Sequence, residues 1–173
     1  MNPRDANSLC LECGLCCNGV IFADVQLRSG DDAARLRALG LAFAQKSKAG
    51  VEKFKQSCAA FGGCKCNIYS ERPRYCREFE CLLLKSVKAG DVKIDEARRV
   101  IRSALKQAET VKKLLRQLGD TDETLALNKR FQRVQRKVER GACDQDTAHI
   151  FGELTLAVHK LSMLLSERFY RDL

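Results

Sequence analysis

The sequence predicts an α-rich α+β protein, in which a small cysteine-rich region with short strands is packed on a C-terminal helical bundle. Three observations carry that expectation. Nine of the ten cysteines fall between Cys10 and Cys81. Beyond Cys81 there is no proline, and apolar residues recur at helical spacing over three long stretches. The length, 173 residues, suffices for one domain or one and a half with a buried core. The expected division is a cysteine-rich domain over residues 1–81 and a helical region of two to three helices over 82–173, packed together as one unit.

Taken in order, the elements follow from local pattern. VIFADVQL, residues 20–27, is apolar enough for a short strand. SGDDAARLRALGLAFAQK, residues 29–46, sets Leu36, Leu39 and Phe43 at helical spacing, with Ser29 or Asp31 as its cap. Residues 51–56 carry no decisive signal. A short strand through KCNIY puts Cys64 and Cys66 on one face. Pro73 pushes Arg72 to extended backbone, so Arg72 closes a turn and Pro73 opens a helix carrying Cys76. On such a helix Cys76 and Cys81 diverge by about 140°. Residues 95–118 hold Ala97, Ile101, Ala104, Leu105, Ala108, Val111, Leu115 and Leu118 on one stripe that ends at Gly119. A second helix fits 122–140, ended by Gly141, and a third 146–170, through Ile150, Leu154, Val158, Leu161, Leu165 and Phe169.

Cysteine at this density has two usual causes, a disulfide framework in a secreted chain or metal ligation in an intracellular one. The first nine residues contain Arg4 and Asp5 and no apolar run of signal-peptide length. No stretch of 18 apolar residues follows. The expectation is therefore a cytoplasmic protein with reduced thiols and no membrane association. Local geometry agrees, because the adjacent Cys16 and Cys17 rarely bridge each other but readily point at different partners. In a CxxC turn two residues bring both sulfurs onto one ion, and backbone N–H groups donate to the thiolates. Cys10, Cys13 and Cys16 repeat that spacing twice, with Gly14 free to take a positive φ. A triple CxxCxxC is closer to an iron–sulfur cluster loop than to a zinc knuckle, and it leaves Cys17 for a second centre or another role in the same one.

The second group comprises Cys58, Cys64, Cys66, Cys76 and Cys81. CLECGLCC, then Cys58, then CNIYSERPRYCREFEC resembles the CxxCxxCC family of zinc- or iron-chelating domains. Cys66, Ile68, Tyr69, Arg72, Pro73, Cys76, Arg77, Phe79 and Cys81 match every fixed position of that family's second motif. The resemblance spans residues 10–81 and implies eight ligands: Cys10, Cys13, Cys16, Cys17, Cys58, Cys66, Cys76 and Cys81. Cys64 and Cys143 lie outside the pattern. Cys64 is a candidate ninth ligand, a redox-active thiol near a cluster or a spectator, and Cys143 reads as a small buried or partly exposed thiol rather than a ligand. The same domain occurs in flagellin lysine N-methylases, so the resemblance admits an enzymatic role, although this chain lacks their length.

Eight thiols satisfy two zinc ions, two iron–sulfur clusters or one of each. The spacing favours an iron–sulfur cluster, [4Fe–4S], with zinc as the alternative or the second metal. Two such sites reduce the formal charge of +9 to about +5. Arg72, Arg74 and Arg77 are placed to offset thiolate charge, and Tyr69 to hydrogen-bond a sulfur or a neighbouring carbonyl, or simply to pack. His149 and His159 are rotated about 80° apart on one helix, which argues against a shared metal. Lys129, Arg130, Arg133, Arg136, Lys137 and Arg140 form a basic strip on the second long helix, the only argument for a nucleic-acid partner. No nucleotide-binding or hydrolytic motif occurs, so any chemistry resides in a metal centre. Three readings remain: a metalloprotein in redox or protein-modification chemistry, alone or docked to a protein partner through its helices; a zinc-structured binding module for nucleic acid or an acidic protein; and a metal chelator or delivery protein.

Overall fold

The computed structural model describes residues 9–44, 50–62, 65–141 and 144–170. Its chain divides into two compact units, one of residues 10–80 and 123–126, the other built on 81–122 and 127–170.

The cysteine-rich unit has little regular structure. Helix α1 covers residues 9–13. Strand β1 (Asp24–Gln26) pairs antiparallel with β2 (Lys53–Lys55), with Val25 opposite Phe54. Those two side chains, 3% and 1% exposed, are the centre of a small core with Leu36, Leu41, Ala60 and Ile68. The strand expected over 20–27 shrinks to three residues because its partner is equally short and a turn, closed by Ile21 N–H on the Leu15 carbonyl, takes up the preceding chain. The undecided residues 51–56 contain that partner.

Helix α2 (Ala33–Ala38) is much shorter than expected. Asp32, rather than Ser29 or Asp31, is its N-cap, accepting from Arg35 N–H at 2.8 Å. Gly40, at φ +87°, turns the chain out of the helix, and Phe43 bridges to Phe54 instead of extending it. Strands β3 (Phe61–Gly62) and β4 (Lys65–Cys66) form a second antiparallel pair, so the strand expected through KCNIY stops at Cys66, where a 3₁₀ turn (Tyr69–Glu71) soon follows. Helix α3 (Arg74–Glu78) begins after Pro73 as the sequence predicts. It ends before Cys81, however, so the expected 140° relation between Cys76 and Cys81 on one helix does not arise.

Among the described residues, the regular structure of the other unit is all helical. It contains α4 (Leu82–Ala89), α5 (Ile94–Gln117), α6 (Leu127–Arg140) and α7 (Gln145–Arg168). That is one helix more than the two or three expected, since α4 lies between Cys81 and the first long stripe. Of the eight residues expected on the α5 stripe, Ala97, Ile101, Ala104, Ala108, Val111 and Leu115 are buried, while Leu105 and Leu118 are half-buried, Leu118 as the residue that ends the helix. It packs chiefly on α7, whose Leu154, Leu161 and Leu165 face it from the core. Arg168 near the end of α7 pairs with Glu96 at the start of α5 at 3.2 Å, so the two run antiparallel. Asp144 caps α7, accepting from Thr147 N–H at 2.7 Å. The expected helix from 122 starts five residues later, at Leu127, and Glu123–Ala126 belongs to the cysteine-rich unit.

The strip on α6 is not uniformly exposed. Arg130 is 1% exposed, and its Nε and Nη2 donate to the Asp120 carboxylate and backbone carbonyl, both at 2.8 Å. Asp120, itself buried, also accepts from Arg133 at 2.6 Å. Arg130 is thus a structural charge that anchors α6 to the turn after α5, and it drops out of the expected surface strip. Among the described residues, no helix is long and apolar enough to cross a membrane.

Candidate metal centre

The CLECGLCC segment is wound around Gly14. Cys10 and Cys13 lie on α1; Gly14 then takes φ +61°, and its carbonyl accepts from the N–H groups of both Cys17 and Asn18 at 2.9 Å. A Cβ at Gly14 would stand 2.5 Å from Phe61 Cζ, so glycine is required both by the turn and by the close approach of β3. The turn sends Cys17 toward the second cysteine group: Cys58 N–H donates to the Cys17 carbonyl at 2.7 Å.

Cys58 begins a tight turn, with Phe61 N–H on its carbonyl at 2.9 Å, and the Cys58 thiol accepts from the backbone N–H groups of Ala60 and Phe61. N–H groups aimed at a sulfur stabilise its thiolate form. Cys66 on β4 lies opposite Phe61 in the sheet, and Cys76 is in the middle turn of α3. Cys58, Cys66 and Cys76 all pack, half-buried, against the small core.

The electrostatics show which thiols are neighbours. Burial pushes the Cys17 thiol up to about 12, and the nearby Cys58 and Cys66, with Cys10 more weakly, push in the same direction. Burial likewise raises Cys76 to about 12, helped by Cys17, Cys58 and Cys66. In both cases Arg72 acts the other way, favouring the thiolate. Cys58 is raised chiefly by burial, with its two N–H donors opposing. Cys17, Cys58, Cys66 and Cys76 therefore share one neighbourhood. They do not share a focus: among the described residues no three Cys, His, Asp or Glu side chains converge as an ion requires. None of the eight described cysteines is bridged to another. Thiolates suit both zinc and iron, so the donor set fits either metal.

The other sequence-derived candidates are spread more widely. Cys10 is exposed, Cys13 is half-buried on α1, and Cys16 is near enough to Tyr75 to help raise its hydroxyl, which burial raises most. Cys81 is the N-terminal flank of α4, in the helical unit. Cys64 and Cys143 lie outside the described residues. Of the candidate supporting residues, Arg72 has its guanidinium 3.6 Å from the centre of the Tyr69 ring and its Nε donating to the Tyr69 carbonyl at 2.9 Å. Tyr69 thus serves as the platform for Arg72. Arg77 is exposed on α3, and Arg74 pairs with Glu78 at 2.6 Å.

Several residues that hold this arrangement escaped the sequence reading. Asp31 caps α3, the helix carrying Cys76, accepting from Arg74 N–H at 2.7 Å and from Arg28 N–H at 2.9 Å. Arg28 pairs with Glu78 at 2.8 Å and lies over the Tyr75 ring. Phe22, Tyr75 and Phe79 form an aromatic cluster, with Phe22 edge-on to both of the others. Tyr75 and Phe79, four apart across α3 and its end, were a legible signal for that cluster. Phe22 and Asp31 come from distant chain and were not.

Compared with known proteins, the chain matches no curated protein and no solved structure. One family model matches residues 9–103, past Cys81 and into α5. That match covers more than half of the chain, which therefore belongs to the CxxCxxCC family, described as a "putative zinc- or iron-chelating domain".

Proposed function

We propose that this protein carries an all-cysteine metal centre in which Cys17, Cys58, Cys66 and Cys76 form one ligand set, while Cys10, Cys13, Cys16 and Cys81 supply the remaining thiolates. The observation that carries this is the Cys58 turn, where two backbone N–H groups aim at one sulfur while Cys17, Cys66 and Cys76 lie in its electrostatic neighbourhood. The turn that brings these N–H groups to the half-buried Cys58 sulfur gives it the donors a metal-bound thiolate uses. Arg72, held on Tyr69, offsets part of the negative charge that four thiolates bring.

The metal in this reading is iron in an iron–sulfur cluster, [4Fe–4S], which supplies electron-transfer chemistry when bound. The protein then acts in redox or protein-modification reactions, alone or as an accessory subunit docking a protein partner through its helices. A zinc-structured module is the second reading, since the four thiols of this set complete a tetrahedral zinc site as well as they would ligate a cluster.

Anaerobic purification followed by iron, zinc and acid-labile sulfide analysis tests both. Iron with stoichiometric sulfide and absorbance near 400 nm supports the cluster; zinc without sulfide replaces it with a structural site. A full-length folded protein that retains neither metal after reconstitution overturns both.

A further inference from the structure

With Arg130 buried, the exposed cations of α6 are Lys129, Arg133, Arg136, Lys137 and Arg140. Arg133, Arg136, Lys137 and Arg140 are exposed and stand at i, i+3, i+4 and i+7, one face of the helix, and together with Gly141 they line an open concavity of about 440 Å³. Arg133 is paired with Asp120 and Asp122. Arg136, Lys137 and Arg140 face no carboxylate among the described residues; the one acid on the helix, Glu139, is turned to Gln135 at 2.9 Å. Like charges at i, i+4 cost a helix about 0.2–0.5 kcal/mol per pair, and the exposed cations of α6 make three such pairs, 129 with 133, 133 with 137 and 136 with 140. The repulsion is relieved when anions lie along the face.

We propose that this face of α6 binds the phosphodiester backbone of a nucleic acid without reading its base sequence. Seven residues of helix extend about 10 Å, and phosphates along one strand of a duplex follow at about 3.4 Å of axial rise, so the stripe spans roughly three of them. Three of its four cations are arginines, whose planar forks match phosphate oxygens. The concavity is lined by cations and a glycine, with no aromatic or aliphatic anchor of the kind a protein partner buries at the centre of an interface. The buried Arg130–Asp120 pair fixes α6 rigidly beneath the stripe.

The test uses the full, metal-loaded chain and a fluorescein-labelled 20-base-pair duplex, as DNA and as RNA, in anisotropy titrations over a salt series. Replacing Arg136, Lys137 and Arg140 together by Gln is expected to weaken binding about tenfold or more at low salt, and to flatten the slope of log K against log salt by about 2–3. A control with Arg102, Lys106 and Lys113 all changed to Gln, which removes the same charge from an exposed face of α5, is expected to bind as the parent does. Equal losses in the two variants would reduce the effect to net charge and overturn the proposal. So would a parent chain that fails to bind, or displacement of the duplex by polyglutamate at equal charge, which would reassign the face to an acidic protein.

Discussion

Asp120→Ala isolates the energetics of the helical unit. In the parent chain the Asp120 carboxylate receives Arg130 Nε at 2.8 Å and Arg133 at 2.6 Å, in surroundings where Asp120 and Arg130 are 5% and 1% exposed. Removing the carboxylate leaves a buried guanidinium with one remaining bond, Nη2 to the Asp120 backbone carbonyl at 2.8 Å, which the substitution does not touch. Losing one partner of a buried pair costs about 3–5 kcal/mol, and the surviving bond places this case near 3 kcal/mol. Arg130→Met is the informative opposite. It removes the buried charge itself and leaves Asp120 still paired with half-exposed Arg133, so the expected cost is about 1 kcal/mol or less. For a chain of this size each kcal/mol moves Tm by roughly 2–4 °C, giving about 6–12 °C for Asp120→Ala. Circular dichroism at 222 nm with heat and urea on the full-length variants measures both, and the double variant closes the cycle. An Asp120→Ala chain within 1 kcal/mol of the parent, or an Arg130→Met chain as damaged as Asp120→Ala, would refute this account of the pair.

Cys76→Ser is expected to lose more than half of the bound metal and to lower solubility with it, because ligation contributes folding energy, whereas Cys143→Ser keeps full metal content; elemental analysis of both decides. Gly19→Ala places a Cβ 2.9 Å from Ala126 Cα at φ +78°, while Gly30→Ala at φ +91° meets nothing within 4 Å. Both bear a conformational penalty of about 1–2 kcal/mol, but only Gly19→Ala adds a backbone clash, so its urea midpoint should fall further. The Thr147 N–H holds the Asp144 carboxyl below the usual carboxylate range. A depressed pKa stabilises the fold above the unfolded value, near 4, and that contribution is lost as pH falls through the folded value. Asp144→Ala and parent urea midpoints should therefore differ at neutral pH and converge in acid, and a gap that widened in acid would contradict the cap.

What could be read from the sequence depended on how local each signal was. The α5 stripe recurs over six turns and its core residues were all legible. Helix α4 was missed because LLLKSVKA is short and opens on three consecutive leucines, which carry no face. Strands β1 and β2 stabilise one another across nearly thirty residues, and three residues of either show too little periodicity to be recognised. Spacing identified the cysteines as a site but could not say which belong together. That Cys17 parts from Cys13 and lies with Cys58 depends on the Gly14 turn and the Cys17–Cys58 backbone bond, a pairing across forty residues. Arg130 read as surface charge because its partner follows the end of a different helix, and nothing local to NKRFQRV marks it.

The cysteine-rich unit is not a contiguous piece of chain, since Glu123–Ala126 completes it and Ala126 closes over Gly19. During synthesis, then, all eight family thiols have emerged once Cys81 clears the ribosome, yet the last packing residue follows roughly 45 residues later, at 5–20 residues per second a delay of about 2–9 s. Through that interval the thiols are already present while the residue that closes over Gly19 is still to come. A fragment cut at Cys81 would hold the molecule permanently at that stage.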